Sequence, residues 1–499
     1  MHFLAIDLGT ESARAAVYTV DGQLVSDDAR GYATTFPHTG WAEQNPHHWL
    51  DAALGAGAGA VSKADITELA GIAVATTASS VVFLDGNHQP VREGILWMDT
   101  RAHREATSTG ASTHPRMSFV GGVSSPEWLV PKAMWVARHE PDVYRRAHFI
   151  GEAVDYLSWA LTGVWSGSNL NATCKWNYDP RAGSLPVDLY EEFGVPDLAT
   201  KLPHRIQPVG EAIGPITARV AEALGIRNTP IVATGGIDAH VALIGLRGLS
   251  KTAVSIAAGT SNAFIAETDT EFHSPEIWGP YPDALTPGRW LAEGGQLSAG
   301  SALTWVSEKM LGYTRDQLPK LWQAIADRPA TSHGLMVLDD FMGNRTPRRD
   351  ATLRGGVLGL SLSTTAEEIY HATIEAVAFG TKEVLDSFWR AGIDVGDLYF
   401  SGGIVKNPLW LQTTADVVGH PIHSVSSDNL TLLACAATAV VGAGAVSGFE
   451  EAEKVFAPTY DTVNPREDAH QVLTDAFNVF IDAKNANVDV FHRLASREL

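Results

Sequence analysis

The clustering of apolar positions along the chain predicts interleaved strands and helices. Phe3 to Ile6 and Ala13 to Tyr18 are β-type runs separated by Gly9-Thr10, which predicts a hairpin at the start of the chain. The pattern returns between Val254 and Ile265, where Ile256, Gly259, Thr260 and Ala263 repeat Ile6, Gly9, Thr10 and Ala13 at a constant offset of 250 residues. A repeat spaced by half the chain predicts two similar domains, each opening with a glycine hairpin, facing each other across a cleft. Further strand-like runs at Ile72 to Thr76, Val81 to Leu84, Ile231 to Thr234 and Leu398 to Phe400 alternate with helical patterns at Pro131 to His139, Ala366 to Ala391 and Pro408 to Val418. That alternation predicts an α/β fold. Gly245, Gly248 and Ser250 mark a bend, so the expected domains are 1–247 and 248–499, the second ending in polar terminal helices from Glu450 onward.

Composition narrows the class. A chain of 499 residues with 45% hydrophobic and 19% charged residues has the make-up of a folded globular protein with room for two or three packed cores. Its formal charge of −21 opposes a general nucleic-acid or anionic-membrane binder, since both need a basic surface; a few amides and one or two cations still suffice for a small anion. The expected partners are therefore small molecules. With only Cys174 and Cys435, neither a disulfide framework nor a four-thiolate zinc site can form, and a reducing cytoplasm is the expected setting. The start lacks the layout of a signal peptide, and the apolar stretch Leu432 to Val446 is too short to span a bilayer.

Three segments carry candidate chemistry. In Asp7-Leu8-Gly9-Thr10-Glu11-Ser12-Ala13-Arg14, Gly9 permits close approach of a ligand, Thr10 and Ser12 can donate to phosphate oxygens and Arg14 can neutralise charge. Asp7 either holds Mg²⁺ beside them or merely ends a strand. In Ala233-Thr234-Gly235-Gly236-Ile237-Asp238, a strand runs into two glycines and presents a carboxylate that suits a general base or a helix cap. Ser401-Gly402-Gly403-Ile404-Val405-Lys406-Asn407 repeats the strand and double glycine; its glycines could let a flat base lie against backbone with Asn407 at its edge. The segment from Gly245 to Thr252 is not a P-loop, because Ser250 stands where the second glycine must be, and the 18 histidines include no HExxH.

Together, Asp7-Leu8-Gly9-Thr10, Gly236-Ile237-Asp238, Gly259-Thr260-Ser261 and Ser401-Gly402-Gly403 with Asn407 resemble the FGGY carbohydrate kinases. Gly359-Leu360, Glu368-Ile369, Ala372 and Glu375 are similar to that family's second-domain signature, and Lys132-Ala133-Met134-Trp135 to the core of its first, with Leu129 a departure upstream. The resemblance implies a two-domain actin-like ATPase fold, of the ribonuclease H-like type, and phosphorylation of a sugar hydroxyl by ATP with Mg²⁺. It implies Asp238 as general base, Asp7 and Asp238 at the metal, and Gly9, Thr10, Ser12, Arg14, Gly259, Thr260 and Ser261 at the phosphates, with Gly402, Gly403 and Asn407 at the adenosine. Trp97-Met98-Asp99-Thr100-Arg101, Cys174-Lys175-Trp176, Asp238-Ala239-His240, Trp278-Gly279-Pro280-Tyr281, Glu293-Gly294-Gly295-Gln296 and Gly343-Asn344-Arg345-Thr346-Pro347 look like the ribulokinase branch. That branch implies a ketopentose, ribulose ahead of xylulose or a polyol such as erythritol, contacted by Thr77, Asp99, Lys175, Asp238 and Glu293. Thr76 stands where ribulokinases of the D-ribulose type tend to carry Asp. A homodimer is the family-level expectation, and a non-catalytic actin-like sugar- or nucleotide-binding protein is the rival of a different class.

Overall fold

Two mixed sheets form the frame of the computed structural model, which describes residues 1–326, 328–331, 334–425 and 429–496. The first contains β1 (His2–Leu8), β2 (Ser12–Thr19), β3 (Leu24–Gly31), β4 (Gly71–Thr76), β5 (Ala212–Pro215) and β6 (Ile231–Ile237), in the order β5-β6-β4-β1-β2-β3. The second contains β7 (Ala253–Ala258), β8 (Asn262–Thr268), β9 (Trp278–Pro282), β10 (Trp290–Gln296), β11 (Asp397–Ser401), β12 (Ile422–Val425) and β13 (Tyr460–Val463), in the order β9-β10-β8-β7-β11-β12-β13. Each has an antiparallel hairpin, β1-β2 or β7-β8, then two parallel strands, β4 and β6 or β11 and β12, then an antiparallel edge strand. The internal repeat is thus a repeat of topology. Val81–Leu84 joins neither sheet; it pairs with Phe149–Glu152 in a smaller one.

The hairpins differ in one respect that their sequences conceal. In the first, Leu8 pairs with Ala13 and Asp7 with Arg14, so four residues close the turn; in the second, Ala258 pairs with Asn262 and Ala257 with Ala263, so three do. The offset of 250 holds up to the turn glycines and slips by one after them. Ala263 therefore stands where Arg14 stands in the first hairpin, not where Ala13 does.

The helices that bear on the site are α1 (Asp238–Arg247), α2 (Ala366–Arg390), α3 (Pro408–Val418), α4 (Leu430–Gly442) and α5 (Glu467–Ala495). α1 follows β6 of the first sheet yet packs on β7 and β8 of the second, whereas α4 follows β12 of the second yet packs on β1, β4 and β6 of the first. The two helices also pack on each other. Small residues make this approach possible: a Cβ on Gly71 would lie 2.7 Å from the Ala439 carbonyl oxygen, and one on Gly442 would lie 2.3 Å from the Ala233 Cβ. The apolar stretch near Leu432 is therefore a helix buried between the sheets. Among the described residues, no helix is long and apolar enough to cross a membrane.

The terminal helix α5 is fastened by a buried charge cluster. Lys484 Nζ donates to Asp339 Oδ1 at 3.0 Å, Asp340 Oδ1 at 2.9 Å and Glu383 Oε2 at 2.9 Å, and Lys484 is only 2% exposed. Asp339 Oδ2 accepts in turn from Gln296 Nε2 at 2.9 Å, and Gln296 Oε1 accepts from Asn262 Nδ2 at 2.9 Å, so the network runs to the second hairpin. Removing the cation that touches all three carboxylates leaves them buried and mutually repulsive. Lys484→Met is expected to cost about 3–5 kcal/mol of unfolding free energy, read as an earlier denaturant midpoint.

Candidate active site

The parallel strands of the first sheet end at two carboxylates. Asp7 pairs with Ala75 across β4, and Ala75 with Gly236 of β6, so Asp7 and Asp238 stand at the same end of the sheet with one strand between them. Two strand spacings put their backbones roughly 10 Å apart. The register of β6 against β4 shifts between Ala233 and Gly236, and a Cβ on Gly235 would lie 1.7 Å from the Val74 carbonyl oxygen. The double glycine thus forms a bulge that swings the chain into α1 and presents Asp238 at its first turn. Asp238 Oδ1 accepts from the Ala239 amide at 2.6 Å, so the carboxylate also serves the helix start.

Asp7 is fully buried, with Oδ2 2.6 Å from Arg14 Nη2 and 3.5 Å from Asn429 Nδ2, while Oδ1 has no partner. Burial raises its pKa, against the pull of Arg14. Burial and then the Asp7 charge push Asp238 up to about 7, against the Ala239 amide and Arg14. Among the described residues no group of three or more His, Cys, Asp or Glu side chains stands poised for a metal ion. Two carboxylates, one with an orphaned buried oxygen, fit a hard cation that takes its remaining ligands from water and substrate phosphates, as Mg²⁺ does. Asn429 escaped the sequence reading, although an Asn before an apolar helical run is a capping signal: its Oδ1 accepts from the Leu432 amide at 3.0 Å.

A buried ion pair bridges the two halves beside α1. Lys175 Nζ donates to Glu293 Oε2 at 2.7 Å, and Nε2 of His240 on α1 lies 3.3 Å from the same oxygen. Burial works to raise the Glu293 pKa, but Lys175 and then His240 outweigh it and hold the carboxyl well below its ordinary value. Lys175 Nζ also lies 5.1 Å and 5.3 Å from the Trp128 and Trp278 ring centres. A second bridge joins Glu127 to Arg345. Lys132 Nζ ties the Ser79 and Leu96 carbonyl oxygens at 2.7 and 2.6 Å, and Glu152 accepts from the Ser79 amide at 2.6 Å, so the loop carrying Thr77 is pinned; Thr77 Oγ1 lies 2.9 Å from Ser80 Oγ. Asp99 departs from the sugar-contact expectation. Its carboxylate accepts from four donors, the Ala42 and Arg101 amides and Nε and Nη2 of Arg101, which leaves it a clamp on the 97–101 segment with no acceptor position to spare.

The second half contributes the other hairpin and an open cavity of about 710 Å³ whose lining includes Gly259, Thr260, Gly403 and Asn407. The Gly259 and Thr260 carbonyl oxygens accept from the Gly300 and Ser301 amides at 2.9 and 3.1 Å, which fixes the turn. Gly402 has φ +87° and a Cβ there would lie 2.8 Å from the Ala258 carbonyl oxygen, so glycine is required. Asn407 does not turn its amide oxygen to the cavity: Oδ1 caps α3 by accepting from the Trp410 amide at 3.1 Å. Gly9 shows the same turn closure as Gly259, its amide donating to the Ser12 carbonyl at 3.0 Å, while Thr10 Oγ1 accepts from Trp97 Nε1 at 3.1 Å.

Residues 2–245 match the model of the N-terminal domain of the FGGY family of carbohydrate kinases, and residues 254–443 that of its C-terminal domain. An FGGY carbohydrate kinase domain-containing protein of Danio rerio is 30% identical, over 96% of each chain. A ribulokinase of Shouchella clausii is 29% identical over 99% of this chain and 98% of its own. A crystal structure described as a xyloylose kinase from Brucella ovis superposes with a TM-score of 0.85 at 26% identity, covering 99% of this chain and 100% of that one.

The electrostatic link between the two strand-end carboxylates is open to measurement. Asp7→Asn removes the neighbouring charge that raises Asp238, so the Asp238 midpoint is expected to fall below 7 in a ¹³C carboxyl NMR titration of the nucleotide-free protein; an unmoved midpoint would separate the two groups.

Proposed function

The chain belongs to the FGGY family of carbohydrate kinases, and on that premise we propose that it phosphorylates a ketopentose, ribulose first, using ATP and Mg²⁺. One observation carries the reading: Asp238 follows a strand at the same end of the sheet as Asp7, whose buried Oδ1 has no partner among the described residues, and burial with the Asp7 charge pushes the Asp238 pKa up to about 7. A base poised near neutrality accepts a proton at the point where the sugar hydroxyl becomes a nucleophile.

In this reading the sugar lies against Lys175, Glu293 and Thr77, with its reacting hydroxyl on Asp238. The oxygen forms a bond to the γ-phosphorus as the bond from that phosphorus to the β,γ-bridging oxygen breaks; Asp238 takes the hydroxyl proton and ADP leaves. Arg14, Thr10, Ser12 and the amides around Gly9 hold phosphate oxygens from one side, and Gly259, Thr260 and Ser261 from the other. Gly402, Gly403 and Asn407 border the adenosine. Asp7 and Asp238 would hold Mg²⁺, which supplies neutralisation of phosphate charge. Asp99 acts indirectly, by holding the segment that follows Trp97. We divide the chain functionally at 247/248, with Glu293 reaching from the second part to the sugar. The net charge of −21 supports small-molecule partners, and a chain with only Cys174 and Cys435 suits a reducing, cytoplasmic setting.

The ribulokinase-like motifs and the 29% identical ribulokinase support ribulose. Thr76 supports a second reading, xylulose or a polyol: its buried hydroxyl donates to the Thr77 carbonyl at 3.1 Å, so the loop offers no acid there.

Asp238→Asn is expected to lower kcat by about 10²–10⁴ while leaving the sugar KM within a few-fold, in a coupled ADP-release assay; near-normal turnover would remove the base assignment. Because the base must be ionised, the wild-type rate at subsaturating sugar and nucleotide is expected to fall with acidification below about pH 7 and to level off above it. Screening D- and L-ribulose, both xyluloses, erythritol and glycerol in the same assay ranks the substrates. ADP release that ignores every sugar would favour a non-catalytic or sensing role.

A further inference from the structure

The cavity beside the second hairpin is large, aromatic and poor in uncommitted polar side chains. Leu303, Trp305, Leu318, Trp322, Tyr370 and Trp410 supply its apolar surface, and Trp305 is half exposed at its lip. Thr260 and Thr304 are exposed, and most of the more buried polar side chains of the lining are already occupied. Ser301 Oγ donates to the Thr260 carbonyl at 2.8 Å and Ser307 Oγ to the Leu303 carbonyl at 2.8 Å. Asn407 Oδ1 caps α3, Tyr370 OH accepts from Trp322 Nε1 at 3.2 Å, and Glu308 pairs with Arg315 at 3.0 Å. Lys309 and Lys406 are exposed at the rim. The one buried lining donor recorded without a partner among the described residues is Trp410 Nε1, and ring-nitrogen acceptors are common to every purine.

From this we infer that the donor site does not discriminate among purine bases, so that GTP and ITP serve as phosphoryl donors alongside ATP. The inference rests on the kinase reading above. Its physical ground is an asymmetry of recognition: a site whose buried polar groups pair with one substrate rejects an analogue by factors of about 10⁴ or more, whereas an apolar slot separates near-isosteric ligands far less. Adenine, guanine and hypoxanthine differ at the 2 and 6 positions, and apart from Trp410 Nε1 the lining shows no buried side-chain donor recorded without a partner among the described residues. They share the ring faces that Trp305 and Trp322 can cover, and a pyrimidine offers less such area.

Two measurements test it. With saturating sugar, kcat/KM for GTP and ITP is expected within about tenfold of that for ATP, and a deficit beyond a hundredfold would overturn the inference. Calorimetric titration of the sugar-free protein with MgADP, MgGDP and MgIDP is expected to give dissociation constants within the same tenfold span, and again a hundredfold preference for ADP would overturn it. Trp305→Ala is expected to weaken all three diphosphates several-fold without changing their ratios; a loss confined to ADP would overturn it. Binding does not depend on turnover. A protein that binds the three diphosphates alike yet phosphorylates no sugar therefore supports an undiscriminating base site while removing the kinase reading, and with it the donor role of GTP and ITP.

Discussion

The exchange of α1 and α4 between the sheets is the constraint on which the rest depends. Each helix is launched by a strand of one sheet and covers the other, and the two lie against each other between them. Neither sheet can complete its apolar core alone: Phe3, Ala73 and Ala233 of the first share one cluster with Leu243 and Ile244 of α1 and with Ala436 and Val440 of α4. The site inherits its geometry from that arrangement. Asp238 is the first residue of α1, and Asn429, which touches Asp7, caps α4, so both strand-end carboxylates are tied to the crossing pair. Relative motion of the halves has to pivot about that pair, since sliding would pull the small-residue face of α4 off Gly71 and Ala233.

Around this pivot, several buried charges face an opposite charge. Lys175 pairs with Glu293, Arg345 with Glu127, Arg14 with Asp7, and Lys484 with three carboxylates. A site so neutralised suits an uncharged polyol, for which donors and acceptors in fixed positions matter more than net field. It also explains how a protein with charge −21 can accept an anionic nucleotide: the acids of the interior are locally compensated.

Much of this was legible in the chain. The glycine hairpins, the strand ends at Asp7 and Asp238 and the double glycine Gly402-Gly403 are local features, and local features survive translation into three dimensions. What was hidden is long-range. Nothing around Leu432 says that its helix leaves its own sheet to cover another. The Trp97-Met98-Asp99-Thr100-Arg101 motif drew attention to Asp99 as a sugar ligand, but the Arg101 fork two residues on, together with the Ala42 amide, takes up its carboxylate. Asn407 was read as facing a base because it follows two glycines; it also precedes Pro408 at a helix start, and the cap claimed its oxygen. His240 was visible only as part of a motif, since its partner Glu293 is far along the chain.

The longer turn of the first hairpin has its own consequence. Partners in an antiparallel ribbon share a face and neighbours alternate, so loop length sets the parity of everything beyond it. With four residues in the turn, Arg14 comes directly opposite Asp7; with three, as in the sister ribbon, an alanine would stand there and the guanidinium would emerge on the reverse side. The four-residue turn thus sets an acid against a guanidinium across one ribbon, while in its twin the same two places are held by Ala257 and Ala263.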